Sequence, residues 1–596
     1  MPDSNVLDNT GVLPRTLNDI IYETTTSYLA QIDKNNPPDA RTIEQELISD
    51  VNDTIALENM CIPSIPVRDK NGKSVLDKNG NPKKMPLHAP WRSIERLLPQ
   101  QLAEIVMFFH NVIRIDATET NVESEEDLVA VYCDDGPNKG TYDASESTLY
   151  RIVKQYDYQL EKGKFKEVYF ALQSLAPRRQ RTHKRDLIAV NNGIFDYSTK
   201  TLYPFTPDMV FLSKSKVNYN PNATLAVIHN DDDNTDWDVE SWMSELSDDP
   251  AIVELLWQML GAIIRPFVRW NRSIWLYSTV GNNGKGTLCE LMRNLCGNGN
   301  HTSIGLGDFG KEFALQPLLH CNAIIVDENN VGQYLDTLGD LKAIVTNDIV
   351  QINRKFKDPI SFRFWGFMVQ CVNDLPRIRD KSDSFYRRQI LVPMDKCFTG
   401  AERRYIKDDY MSRPEVLEYV LKKVLHTDFY ELTIPTRCRD LLGAYKELND
   451  PVREFLNEFI DRFTWDLLPT EFLYDLYKSW YNRCNPCGRP EGKITFKKQL
   501  DILLMEPDFS KTWQPTNGLV RISNKMDCPE PLIAQFNLES WKNPSYVGTD
   551  INKISSPRLT TDRFRGIMRR DNPSTIIIAS DDTDDTNDDD DNNNTV

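Results

Sequence analysis

The chain has 596 residues, about four times an ordinary domain of roughly 150, so several cores joined by linkers are expected. A hydrophobic share of 40% beside 27% charged residues excludes collagen-like, coiled-coil and wholly disordered chains, and the longest apolar run, 253–268, is broken by Glu254, Gln258 and Arg265, too early for a membrane span. The net charge of −18 argues against nucleic acid only at first sight: Asp581, Asp582, Asp584, Asp585 and Asp588 to Asp591 supply eight of the acids, and without them the balance is −10.

Residues 1–95 read as a polar region with small hairpins, because Asp69-Lys-Asn-Gly72 recurs as Asp77-Lys-Asn-Gly80 and Asn-Gly is a strong hairpin signal. No basic stretch followed by an apolar one marks the start for secretion, and eleven scattered cysteines suit a reducing compartment. An accessory α+β domain is expected over 96–235. Its helical periods lie at 91–115 and 149–175, and a strand, a tight turn at Asn191-Asn-Gly193 and a second strand follow. The run from Arg178 to Arg185 is either a solvated loop or a contact for a phosphate backbone. A polar linker is expected at 218–236.

Over 236–430 a helical stretch precedes short apolar runs alternating with helices, the pattern of a mostly parallel sheet. Helices at 452–463, 470–481 and 496–505, then a hairpin-like end at 513–522 turning on Asn517-Gly518, suggest a winged helix over 440–525. The Ser/Thr/Asp/Asn-rich segment 545–596 is expected to be a disordered acidic tail. The fold class is therefore multidomain α/β.

The chemistry concentrates in the central block. An apolar strand at 272–279 runs into Gly281-Asn-Asn283-Gly284-Lys285-Gly286-Thr287 and an amphipathic helix, the context of a phosphate-binding loop. Gly281 and Gly284 free backbone N–H groups to face phosphate oxygens, and Lys285 can reach the β and γ phosphates. Two positions depart from the usual loop: Thr279 replaces the first glycine, and Gly286 stands where the magnesium-binding hydroxyl belongs, leaving Thr287 one place late. The apolar run 322–326 ends in Asp327-Glu328, with Asp327 placed to hold Mg²⁺ and Glu328 to polarise the attacking water. Another strand ends at Asn373, which can sense the γ-phosphate, and Arg387-Arg388 precede the next. A surface pair and a charge-stabilising finger for a neighbouring subunit are both open for these arginines.

Asn283-Gly-Lys-Gly-Thr287, Ile325-Val-Asp-Glu328, Lys342-Ala-Ile-Val-Thr-Asn-Asp348, Asn373-Asp-Leu-Pro376 and Phe385-Tyr-Arg-Arg388 resemble, in order, the motifs of superfamily 3 helicases, of the type found in phage, plasmid and poxvirus primase-helicases. The segment 188–196 is similar to the domain that precedes the ATPase in that family, and the likeness runs over roughly 145–525. The resemblance implies a central P-loop AAA+ ATPase with a helical collar, ATP and Mg²⁺ as cofactors, and a homo-hexamer around DNA. It further implies that Arg354, Lys355 and Lys357, interleaved with Phe356, grip single-stranded DNA in the pore, and that Arg388, ahead of Arg387, acts as the finger.

An origin duplex on the winged helix, a separate primase or polymerase, no membrane, and the cytoplasm of a bacterial host complete the expectation. An attached primase is not expected, since 112–116 carries the single acid Asp116, and Cys484 with Cys487 lacks a second pair for zinc. The rival readings are an origin-binding initiator that uses ATP as an assembly switch and another P-loop motor such as a packaging ATPase.

Overall fold

A computed structural model describes residues 15–70, 72–119, 127–330, 334–335, 338–355, 357–378, 383–400, 402–484, 490–556, 559 and 561–570. It divides into two compact units, Met1–Leu442 and Gly443–Val596.

The first unit opens with two helices that the polar composition concealed. Leu17–Gln31 starts at a capping box formed by Thr16 and Asp19, and Ala40–Met60 starts where the Asp39 carboxylate accepts from the Arg41 and Thr42 amides. Ile43, Leu47, Val51 and Ile55 recur every fourth residue and are buried where this helix packs against Leu17–Gln31 and Glu146–Tyr156, so one apolar stripe orders an otherwise polar segment. The expected hairpin is present as well: Ser64–Pro66 pairs with Lys84–Pro86, and both Asn-Gly turns place their glycines at positive φ, +78° at Gly72 and +79° at Gly80.

A four-stranded sheet follows, ordered Tyr142–Asp143, Leu128–Tyr132, Val112–Ile115, Arg178–Arg179. Two arginines of the basic run turn inward here. Arg178 lies 2.7 Å from Asp127 and 3.1 Å from Asp116, while Arg181 donates to Glu119 at 2.8 Å and to the Arg363 carbonyl at 2.7 Å. These side chains are therefore structural rather than a solvated loop. The expected linker at 218–236 is also folded: Ile228–Asn230 pairs with Thr235–Trp237, and Tyr219 and Trp237 are buried.

The central sheet has five parallel strands, β1 (Ser273–Tyr277), β2 (His301–Thr302), β3 (Ala323–Val326), β4 (Phe367–Val372) and β5 (Gln389–Pro393), in the order β2-β3-β4-β1-β5. Ile274, Ile325, Val369 and Leu391 are fully buried, as strands covered on both faces require. The helix Lys285–Cys296 packs against Pro250–Ile264, a helix buried continuously from Gln258 to Ile264. With β4 between β1 and β3, the segments leaving β1, β3 and β4 emerge side by side at one edge of the sheet.

The second unit has helices Pro451–Phe459, Thr470–Cys484 and Lys493–Leu503 around an aromatic core that includes Phe455, Trp465, Trp480 and Trp513. Its sheet is antiparallel, with Gly566–Arg569 central between Leu467–Pro469 and Trp513–Pro515. The expected hairpin over 513–522 is therefore corrected: Trp513–Pro515 pairs with a strand some fifty positions later, and Val520–Arg521 pairs with Arg563–Phe564. The boundary expected at 525 and the tail expected from 545 move with it, because Ile567 is buried in the core although its surroundings are polar. Residues 571–596, including the acidic run, lie outside the described residues. Among the described residues no helix is long and apolar enough to cross a membrane.

Candidate active site

The loop from β1 to the helix Lys285–Cys296 is built by its own side chains. Asn283 is buried, donates to the Val280 carbonyl at 2.6 Å and accepts from the Lys285 amide at 3.3 Å. Asn282 at φ +52° reaches across to Glu402 at 2.5 Å. Gly284 caps the helix at φ +83°, and a Cβ there would stand 2.5 Å from the Leu246 side chain, so both backbone and space demand glycine. Gly281 faces open space.

Lys285 lies over the end of the sheet. Its ammonium donates to Asn373 Oδ1 at 2.6 Å and to the Val372 and Ser278 carbonyls at 3.3 and 3.4 Å. Burial pushes it below the usual lysine range, against the opposing pull of Cys371 and Asp327. The strand order thus brings the loop lysine and Asn373 into direct contact. Asp327 is half-buried, with Arg293 and Lys407 each 4.0 Å away, and Glu328 beside it is exposed.

A Cβ on Gly286 would lie 3.4 Å from both Asp327 carboxylate oxygens. The carboxylate therefore stands against the place where a loop hydroxyl would project, and the two acids offer the hard oxygen donors that Mg²⁺ takes. Thr287 lines a neighbouring cavity of about 260 Å³ with Trp242, Phe398, Ile406, Arg403 and Arg404. Apart from Thr287, these cavity residues escaped sequence reasoning, since a wall drawn from a helix before β1 and from a loop and the short helix Arg404–Asp408 after β5 leaves no local motif. Asn329 was missed too: it donates to Gln370 Oε1 at 2.9 Å and to the Cys371 carbonyl at 3.0 Å, tying the segment after β3 to β4.

Arg387 and Arg388 sit elsewhere. The Ser273 amide donates to the Arg388 carbonyl at 2.8 Å, which puts both arginines at the start of β1 and β5, about 16 Å of strand from the phosphate loop. The Arg388 guanidinium folds back onto the Ser384 carbonyl and is half-buried, whereas Arg387 is exposed.

Arg354, Lys355 and Lys357 flank the tip of a β-hairpin, Ile349–Arg354 with Lys357–Arg363, away from the phosphate loop. Its inward residues Val350, Ile352, Ile360 and Phe362 are buried, and Lys357 lies 2.6 Å from Glu146. Phe356 and Cys487 lie outside the described residues.

Residues 116–250 match the family described as D5 N terminal like, and 447–538 match Poxvirus D5 protein-like. The chain is thus similar to D5-type proteins on both sides of its central sheet. Between them, 276–388 match a family of unknown function, DUF5906, over the phosphate loop and both strand-end motifs. No curated protein matches the chain. Among solved structures, an A form apo structure of the NrS-1 C terminal region is similar at 13% identity and a TM-score of 0.39, covering 80% of this chain and all of that one (100%). An apo structure of the same region gives 13% and 0.35, with 72% and 98% covered.

Proposed function

We propose that the D5-like chain is an ATP-driven DNA helicase of a phage or related mobile element, acting in replication as a homo-hexameric ring. The observation that carries the reading is the convergence of Lys285, Asn373 and Asp327 at one edge of a parallel sheet, with Arg387 and Arg388 at the opposite edge. A finger that far from its own loop serves only a site on another subunit, which is the logic of a ring ATPase.

In this reading the loop amides and Lys285 hold the β and γ phosphates of ATP, and the cavity beside Thr287 takes the nucleoside. Asp327, with Thr287 as the loop's hydroxyl, would hold Mg²⁺, which would supply charge neutralisation on the phosphates. Glu328 accepts a hydrogen bond from the attacking water, and Asn373 exchanges its contact with Lys285 for one to the γ-phosphate or that water. Arg388 or Arg387 of an adjacent copy stabilises the transition-state charge.

Arg354, Lys355 and Lys357 present the hairpin tip to single-stranded DNA. We read the second unit as a winged helix whose wing is replaced by 516–565; Lys493, Lys497 and Lys498 on its third helix are exposed and suit duplex DNA. A primase acts in trans, since Asp116 is engaged by Arg178 and by the Thr118 and Glu119 amides. As a helicase acting on replicating phage or mobile-element DNA, the protein would work in the host cytoplasm.

An initiator using ATP as an assembly switch, or a packaging motor, remains the alternative to be separated by assay. ATP hydrolysis with and without single-stranded DNA, and unwinding of forked duplexes with each end blocked in turn, decide it. Hydrolysis without unwinding of any fork refutes the helicase.

A further inference from the structure

Beneath the phosphate loop lies a cluster that the proposed ATPase chemistry does not use. Cys289, on the helix that starts at Lys285, and Cys371, near the end of β4, are buried, with their sulfurs 3.4 Å apart. One sulfur from each and one Asp327 carboxylate oxygen all lie within 4.8 Å of one another. Two sulfurs bound to one zinc at about 2.3 Å and a tetrahedral angle stand about 3.8 Å apart, so the pair is near the spacing for bridging a metal. A disulfide needs about 2.05 Å and a much larger shift. Mg²⁺ avoids sulfur, whereas zinc and cadmium prefer it.

We propose that Cys289, Cys371 and Asp327 form a site for a soft divalent cation of the zinc and cadmium class. The inhibitory consequence rests on the reading of Asp327 as the magnesium-holding acid: a cation on the sulfurs draws that carboxylate inward and removes it from Mg²⁺. As the two sulfur–metal bonds form, each thiol releases its proton to solvent, and no electrons are exchanged. No fourth His, Cys, Asp or Glu joins the cluster among the described residues, so one position is left to water and the cation exchanges. Asp327, the half-buried member, provides the entrance from the phosphate side.

The test uses the full chain and cadmium. The ultraviolet absorption of the cadmium–thiolate bond is titrated in the native chain and in Cys289→Ala/Cys371→Ala, with Cys289→Ser as a variant that keeps the volume. Native chain should bind one equivalent more than the double variant. ATP hydrolysis at fixed Mg²⁺ should be inhibited by cadmium in the native chain, and half-inhibition should move about a hundredfold higher without the sulfurs, since loss even of outer partners costs about 10- to 100-fold. Equal absorption in native chain and both variants refutes the site. A one-equivalent difference in a chain that hydrolyses no ATP upholds the site and refutes the ATPase reading instead. Hydrolysis that is cadmium-sensitive to the same degree with and without the sulfurs refutes the inhibitory role.

Discussion

Replacing Lys285 and replacing Glu328 should separate nucleotide binding from hydrolysis. In the described structure the Lys285 ammonium already has three acceptors, Asn373 Oδ1 at 2.6 Å and two carbonyls at 3.3 and 3.4 Å. Contacts to two phosphates add charge-assisted hydrogen bonds of about 1.5–3 kcal/mol each, from which the surrendered contacts must be subtracted. A net loss of about 3 kcal/mol for Lys285→Ala corresponds to roughly hundredfold weaker ATP binding. Glu328 is exposed, and its isosteric change to Gln should shift affinity by about twofold at most while hydrolysis falls by about 10²- to 10⁴-fold. Fluorescence anisotropy of a labelled ATP analogue gives the affinity, and phosphate release gives the rate. A collapse of affinity in Glu328→Gln, or unchanged affinity in a folded Lys285→Ala, refutes the roles assigned to these two side chains.

Lys355→Ala with Lys357→Ala should abolish unwinding and DNA stimulation yet leave basal hydrolysis intact, because the exposed Lys357–Glu146 pair is worth at most about 1 kcal/mol to the fold; full unwinding removes the hairpin from the mechanism. Arg388→Ala and Arg387→Ala are each expected to hydrolyse poorly and to regain part of the activity when mixed with Lys285→Ala, and the exposed Arg387 makes the pair worth testing separately. No recovery in rings shown to be mixed would assign the arginines to their own subunit or to structure. Asp157 is buried between Arg96 at 2.8 Å and Lys164 at 2.7 Å. Burial raises its pKa, but the bonds from Lys164 and Arg96 outweigh that and hold it below the usual carboxylate range. Its stabilisation is therefore complete above about pH 5 and is lost progressively as the pH falls through its lowered folded-state value, so Asp157→Asn should cost about 2 kcal/mol at neutral pH and the difference from the native chain should shrink steadily as the solution is made more acid, read by denaturant unfolding. Ending the chain at 525 should unfold the second unit, while ending it at 570 should not; equal near-ultraviolet circular dichroism for the two would refute the strand assignment.

Legibility followed the range of the interaction. The strands that end at the Gly281–Thr287 loop, at Asp327-Glu328 and at Asn373 were readable because each motif is one strand followed by a few residues, and a buried parallel strand advertises itself as a short apolar run. The hairpin Ile349–Arg354 with Lys357–Arg363 alternates buried and exposed positions, but the basic residues at its tip hid that pattern. Ala40–Met60 was lost because four buried apolar residues in twenty-one are enough to seat a helix when a partner stripe exists elsewhere. Arg178 and Arg181 read as surface because their acids, Asp127, Asp116 and Glu119, lie some fifty to sixty residues earlier. The edge-to-edge separation of Arg387 and Lys285 follows from strand direction, which only the sheet order reveals.

The strand Gly566–Arg569 also sets a timetable. Leu467–Pro469 and Trp513–Pro515 share no ladder with each other, and both pair with this late segment. During synthesis at about 5–20 residues per second, roughly 3 to 10 seconds pass between the making of Trp513–Pro515 and of its partner. Throughout that interval the nascent unit carries three helices and two open strand edges over an aromatic interior, the kind of surface that chaperones bind and that other nascent copies can join. Selection on 516–565 is thus also selection on the speed and cleanliness of production, since any residue there that slows elongation lengthens the exposure of edges formed long before it.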